Sequence, residues 1–490
     1  MVLASPQPFW AILLPVIGAI AIRLTNDYNA RLRNILAVTS ISLVFITVAG
    51  MLPSILAGKT IEFGLLQMLG SVGIFFRVDA LGMVFSLVAS ALWILSTIYS
   101  IGYMSREHNQ KSYFVFFVLS CSAIMGIAYA SNLFTLYIFY EYLTICTYPL
   151  VVHTQTTEAT RAGIKYICYG LAGDALLFVS LFLINYLAGT LEFMPGGIFS
   201  SIAGDKTDLL TILFILLTAG FGIKAAIIPL HSWLPGAMAA PTPVSALLHA
   251  VAVVKAGVFG ILRVLYFLYG VQLLSVLKAT DILAIVVGST IIIGSIMAIK
   301  QDILKLRLAY STIGQLGYIT LGALMLNPAG LTGSLVHIIN HALLKITLFF
   351  CAGAIITVTG KTRINDLHGI GRTMPLTMLA FTIGSLGLMG IVPINGYISK
   401  YYLLAGGLES GKAIFAYIIL ASSLLNAIYY LPIIINAYFK KGLFEKPKLF
   451  EAPPTMLVPI ILLAVICIAL GLFAGSTTIP FVEPIVNSVF

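Results

Sequence analysis

Apolar runs of about twenty residues recur along this chain, and each is long enough to cross a bilayer of roughly 30 Å as a helix. Lipid offers no hydrogen-bond partner to the backbone, so a spanning segment must be a helix or part of a closed barrel. Barrel strands alternate apolar and polar residues, and these runs do not. The chain is 60% hydrophobic and 9% charged over 490 residues, against about 25% charged in a soluble domain. The expected fold class is therefore an all-α polytopic membrane protein.

The spacing predicts spans at 8–25, 33–57, 74–103, 112–130, 132–152, 164–188, 209–230, 242–268, 281–299, 303–326, 331–359, 374–405, 412–438 and 454–474, about fourteen helices in all. The piece between Lys59 and Phe76 is either a short hairpin or an interfacial stretch. The opening MVLASPQPFWAILLP lacks a basic n-region and a small-residue cleavage site, so it reads as a first span and not a signal peptide.

Charge placement sets the orientation. With the N-terminus outside, the cytoplasmic loops collect seventeen basic residues: Arg23, Arg31, Arg33, Arg106, Lys111, Arg161, Lys165, Lys300, Lys305, Arg307, Lys361, Arg363, Arg372, Lys440, Lys441, Lys446 and Lys448. The outer loops hold Lys59, Lys206, Lys278 and Lys412, with Arg77 close to that face. This bias favours an even number of spans with both termini outside, in the cell (plasma) membrane. The net charge of +10 is thus a topology signal and not a nucleic-acid signal.

Several charges remain inside the spans, where each costs roughly 2.5–3.5 kcal/mol on insertion scales. The stretch Gly220–Arg263 carries Lys224 and Lys255 around Pro229, Pro235, Pro241 and Pro243. Proline removes an N–H and clashes with the preceding turn, so Pro229 should break the helix that carries Lys224. A second break is expected at Pro393, ahead of Lys400. The lysine precedes the proline in the first case and follows it in the second, as an inverted repeat would place them. The expected units are 1–111 (three N-terminal helices), 112–268 and 281–438 (two inverted five-helix repeats) and 439–490 (a C-terminal helix).

Glu141 is the one carboxylate of its helix, and either anchors an arginine for assembly or tunes Lys224. His337, His341 and Lys345 stand four and four apart, on one helix face. That stripe is either a proton relay or an interhelical hydrogen-bond seam. His249 and Asp174 are secondary candidates for the same path, and His153 and His231 for its entrance. Arg263 lies near the outer end of its span and is expected to snorkel. Asp302, Lys305 and Arg307 read as a cap or loop clamp at a helix start. The five cysteines carry no CxxC pair, so no metal site and no disulfide is expected. The residues offer no catalytic site and no nucleotide motif.

The segments HAVAVVKAGVFGILR, DILKLRLAYSTIGQLGY and HIINHALLKITLFFCAGAI, followed by DLHGIGRTMP, resemble the antiporter-like subunits of respiratory complex I. They are also similar to subunits of multisubunit Na⁺/H⁺ (Mrp) antiporters and membrane-bound hydrogenases. The resemblance extends over about residues 70–440. It implies fourteen helices, two inverted five-helix repeats, broken helices seven and twelve, and a polar axis at mid-membrane. On it, Glu141 matches the helix-five glutamate and Lys224 the helix-seven lysine. Lys255 matches helix eight; His337, His341 and Lys345 match helix eleven; Lys400 matches helix twelve. Lysine at 400 argues against the M-type subunit, and the short remainder after helix fourteen against the L-type. The implied function is H⁺ translocation, with Na⁺/H⁺ exchange as its other form, in a complex with other membrane subunits. No cofactor is expected in this chain; flavin, iron–sulfur or nickel–iron centres would sit on partners. The alternatives are a gradient-driven multisubunit Na⁺/H⁺ antiporter without a redox partner, a stand-alone secondary solute transporter, and a structural scaffold.

Overall fold

The computed structural model describes residues 2–26, 28–69, 72–199, 204, 206–440 and 450–490. Lys441, Lys446 and Lys448, assigned above to a cytoplasmic loop, lie outside the described residues. A short strand β1 (Val2–Ala4) leads into helices α1 (Gln7–Leu24) and α2 (Ala30–Leu56). Strands β2 (Thr60–Leu69) and β3 (Val72–Val78) pair antiparallel, with Ile61 opposite Val78 and Phe63 opposite Phe76, and β1 joins β2 in parallel. The ambiguous stretch is thus a hairpin. It also corrects the third span, whose expected first residues 74–78 are strand; helix α3 is Ala80–Met104.

The chain continues through α4 (Gln110–Tyr129), α5 (Leu133–Val151), α6 (Thr157–Ala188) and α7 (Thr207–Lys224). A short α8 (Trp233–Gly236) precedes α9 (Thr242–Ala250), α10 (Val253–Arg263) and a π-helical turn at Val264–Tyr269. Then come α11 (Val271–Val276), α12 (Lys278–Ile299), α13 (Leu304–Leu324) and α14 (Pro328–Thr359). The last third holds α15 (Ile370–Thr373), α16 (Pro375–Met389), α17 (Gly396–Glu409), α18 (Ile414–Tyr438), α19 (Pro454–Leu472) and α20 (Thr478–Val489).

Each of the fourteen expected segments contains helix, and eleven of the described helices are long and apolar enough to cross a membrane. The remaining three are α5, α13 and the pair α16–α17. Polar side chains lower the hydropathy of α5 and α13, and the twelfth segment is divided into two short helices. The chain is a multi-pass all-α membrane protein.

Helix starts follow local chemistry. Asn29, Asp79, Asn132, Thr156 and Asn327 each accept a backbone N–H from three residues on, filling a donor the first turn leaves open. The core is organised around α14, which packs against α9, α13, α16, α17 and α19. Its polar residues from Ser334 to Thr347 are fully enclosed. On the face of the β-hairpin, Arg263 is buried and not snorkelling. It clasps Asp79 with both guanidinium ends, Nη1 at 2.5 Å and Nη2 at 2.9 Å, among Phe193, Phe259 and Phe267. A guanidinium enclosed that way needs its carboxylate more than it needs water.

Candidate functional site

Three helix interruptions shape the interior. α7 stops at Lys224, where Ala226 takes a positive φ of 55° and Ile227 N–H donates back to Gly222 O at 3.0 Å. The carbonyl of Ile223 accepts the Ala226 N–H at 3.0 Å and the Trp233 indole N–H at 2.7 Å, and Ile228 N–H finds Thr290 Oγ1 at 3.1 Å. The second interruption lies between α16 and α17. There Lys400 Nζ donates to Met389 O at 2.9 Å and Asn426 Nδ2 to Leu388 O at 3.1 Å. Asn340 and Asn395 exchange two bonds of 2.7 and 2.9 Å. Each break thus exposes carbonyls that protein side chains then satisfy, the condition for irregular backbone at membrane depth. Both breaks hold a cis X–Pro bond, Ile228–Pro229 and Val392–Pro393.

The third interruption corrects the expected continuous helix over 242–268. Backbone hydrogen bonding switches at Val251 and Ala252, whose N–H groups both return to Leu247 O. Lys255 therefore sits in the first turn of a new helix. Val and Ala at the switch carry no proline or glycine signal, so the sequence gives no notice of it.

Lys224 lies at the first break, 2% exposed. Its ammonium donates to Tyr140 O at 2.7 Å, rests 3.3 Å from the Tyr140 ring centroid, and faces Asp174 Oδ1 at 3.6 Å. The expected direct pairing with Glu141 is not the one observed. Glu141 instead accepts the Tyr137 hydroxyl at 3.1 Å, and among the described residues the ion pair of Lys224 is with Asp174. The cause is helix packing. A Cβ on Gly173 would meet Gly220 O at 2.9 Å, so α6 and α7 approach backbone to backbone and bring Asp174 alongside Lys224. α5 supplies the preceding residue, Tyr140, and not Glu141.

Lys255 and His341 follow deeper inside. Neither the Lys255 ammonium nor either ring nitrogen of His341 has a hydrogen-bond partner among the described residues. Both are enclosed. Gly257 lies against the backbone of Lys224 and Ala225, which sets the start of α10 beside the end of α7. His249 is also enclosed and unpartnered at both nitrogens, with its ring 4.8 Å from that of Phe349.

His337 and His341 stack along α14 with ring centroids 6.0 Å apart. His337 bridges Ser399 Oγ at 2.8 Å and Gln315 Oε1 at 3.1 Å. Lys345 reaches Leu308 O at 3.0 Å, Ser311 Oγ and the Tyr430 hydroxyl at 3.2 Å. Lys400 also donates to Ser423 Oγ at 2.9 Å and sits over the Tyr318 ring at 5.5 Å. Gly390, at φ +93°, makes room for it: a Cβ there would lie 2.9 Å from Lys400 Cδ.

The expected residues therefore fall in two groups. Glu141, Asp174 and Lys224 gather around the first break, and His337, His341, Lys345 and Lys400 around α14 and the second break, with Lys255 and His249 on the segment that packs against α7 and α14. Of the entrance candidates, His153 Nε2 meets the His108 carbonyl at 3.0 Å at the end of α5, and His231 lies in the turn after the first break. The expected clamp is present: Lys305 donates to Met238 O and Ala240 O, and Arg307 to Gln301 O and Tyr429 O. Sequence reading missed the neutral partners Gln315, Ser311, Ser399, Ser423 and Tyr430. Polar residues at 422, 423, 426, 429 and 430, a helical spacing within an apolar run, were the available signal on α18.

Comparison with known proteins identifies the family. A family described as NADH:quinone oxidoreductase/Mrp antiporter, transmembrane, matches residues 130–426, more than half of the chain. A second, described as the N-terminus of NADH-ubiquinone oxidoreductase (complex I) chain 5, matches residues 68–114. The chain belongs to the NADH:quinone oxidoreductase/Mrp antiporter family. It is 35% identical to NADH-quinone oxidoreductase subunit N of Desulforudis audaxviator over 74% of this chain and 75% of that one. It is 29% identical to Na⁺/H⁺ antiporter subunit A1 of Staphylococcus haemolyticus over 98% of its length, while spanning 62% of that longer protein. Among solved structures, a chain of the membrane-bound sulfane sulfur reductase, an archaeal respiratory membrane complex, superimposes with a TM-score of 0.86 at 25% identity, over 99% of this chain and 98% of that one. The matched residues 130–426 include the stretches that carry Glu141 to Lys400.

Proposed function

We propose that this chain is an ion-translocating membrane subunit of a multisubunit energy-converting complex, and that it moves H⁺ along a buried row of lysine, carboxylate and histidine side chains. The observation that carries the reading is the set of four enclosed lysines, Lys224, Lys255, Lys345 and Lys400, each set at a helix interruption or on the central helix α14. Intramembrane charges are costly and rarely retained without a task.

The chemistry follows from the partners. Lys224 holds its proton while Asp174 faces it, with Glu141 as a second carboxylate nearby on α5. Widening that pair removes the counter-charge, and the Nζ proton then leaves through bridging water for Lys255. Two free imidazole nitrogens make His341 the next acceptor, with His249 beside the same path. His337 and Lys345 extend the row along α14, and Lys400 ends it. A charge change at one station biases the next, because the surrounding medium screens it weakly. Inverted five-helix units over 112–268 and 281–438 would give each half one broken helix, after helices 1–3 in 1–111 and before the C-terminal helix in 439–490. Fourteen crossings in the plasma membrane, with both termini outside, fit the basic loops.

The partners we assign are other membrane subunits. Flavin, iron–sulfur or nickel–iron centres, where the assembly is redox-driven, belong to those partners. Na⁺/H⁺ exchange driven by a gradient is the second form of the same function, favoured by the length over which the chain follows an antiporter subunit. Mild purification of the native assembly, with subunit identification by mass spectrometry and a metal and flavin assay, tests this. Redox subunits would support the pump; small membrane subunits without redox centres would support the exchanger; a chain found alone would refute both.

A further inference from the structure

A cleft of about 460 Å³ opens between α6, the α8 region and the start of α13, away from the lysine row. Glu158, Arg161 and Lys165 line it from one face of the first turns of α6, at helical spacing, and Lys305 and Thr362 line it from the other side. Its remaining wall is apolar, including Ala162, Pro235, Met238, Leu306 and Ile356. The cleft thus holds three cations and one carboxylate. Among the described residues no ion pair joins Glu158 to any of the three.

Lys305 gives two of its three ammonium protons to carbonyls, Met238 O at 2.8 Å and Ala240 O at 2.7 Å, and keeps one. Arg161 and Lys165 are exposed and add a planar donor fork and a second ammonium. The loops that meet here, ahead of α6, ahead of α13 and after α14, all belong to the strongly basic side of the membrane. Cationic donors beside an apolar wall on that basic face match an anionic phosphate ester that carries acyl chains.

We propose that this cleft binds the phosphate headgroup of an anionic phospholipid, with Arg161, Lys165 and Lys305 as its donors. The bound headgroup ties α6 to α13 and, through Lys305, to the 238–240 loop that leads into α9 and His249.

The test uses the full chain in its assembly, in nanodiscs of zwitterionic lipid titrated with labelled phosphatidylglycerol. The double variant Arg161→Gln, Lys165→Gln should bind roughly thirty-fold more weakly, from about five-fold per cation removed near the surface. The control Arg23→Gln, Arg372→Gln removes two charges from the same basic face and should bind as the parent does. Equal binding by the cleft variant, or an equal loss in the control, overturns the proposal. Competition by millimolar inorganic phosphate would assign the cleft to soluble phosphate and overturn the lipid assignment. In the unmodified chain, a photoactivatable phosphatidylglycerol headgroup should crosslink to residues 157–165 or 300–306. Crosslinks confined to other segments overturn the proposal even if the variant fails to assemble.

Discussion

Replacing Asp174 with Asn should damage translocation more than replacing Glu141 with Gln. The Lys224 and Asp174 side chains are 3% and 2% exposed, so solvent screens their 3.6 Å pair hardly at all. Removing one partner of such a pair leaves an uncompensated charge, at a cost of about 3–5 kcal/mol. At roughly 1.4 kcal/mol per tenfold, that is about two to three and a half decades in the equilibrium that keeps Lys224 charged. The Tyr140 carbonyl at 2.7 Å and its ring at 3.3 Å remain and recover part of it. Pumping should still fall at least tenfold. Glu141→Gln removes only the carboxylate that accepts Tyr137, and should impair coupling by a smaller factor. The assay is proton uptake into inverted vesicles by fluorescence quenching, with native gels to show that the assembly is intact. Pumping by assembled Asp174→Asn at the parent rate, or a larger loss in Glu141→Gln, would refute the assignment of Asp174 as the direct counter-ion.

Three further outcomes are expected. Gly390→Ala places a Cβ 2.9 Å from Lys400 Cδ at a backbone φ of +93°, and should cost about 1–3 kcal/mol, read as a lowered thermal midpoint in detergent together with reduced pumping. Trp233→Phe removes the indole donor from the Ile223 carbonyl, which keeps the Ala226 N–H, and should cost about 0.5–1.5 kcal/mol by the same measurement, whereas an unchanged midpoint would mean that the break needs no such cap. Burial holds the His153 imidazole below its ordinary value despite its contact with the His108 carbonyl. The folded chain therefore favours neutral His153, so this stability is intact above about pH 6.5 and is lost as the pH falls below it. His153→Gln should flatten the fall in thermal midpoint between pH 7.5 and 5.5, and an unchanged slope would contradict this.

The membrane fold is written in the apolar runs, because lipid forces helical backbone wherever twenty such residues follow one another. Pro229 and Pro393 marked two breaks for the same local reason: a missing N–H is visible in the sequence. The α9–α10 interruption was not visible, since Val251 and Ala252 are ordinary helix residues and only tertiary packing switches their hydrogen bonds. The hairpin was one of two readings for Lys59–Phe76, but residues 74–78 of its second strand were assigned to the third span because that apolar run continues into α3. At the site, the charged residues stood out against apolar neighbours. Which carboxylate meets Lys224 did not, because that depends on the contact between Gly173 and Gly220, a long-range feature with no local mark. Neutral partners such as Gln315 and Ser423 were obscured in the same way, as uncharged polar residues are common along transmembrane helices.

The most direct test of the central claim is proton translocation by the reconstituted assembly carrying Lys224→Met. Methionine keeps the volume and removes the ionisable group. The account predicts an intact assembly in which any redox or Na⁺-driven turnover no longer moves protons. Proton movement at the parent rate in that assembly would contradict it.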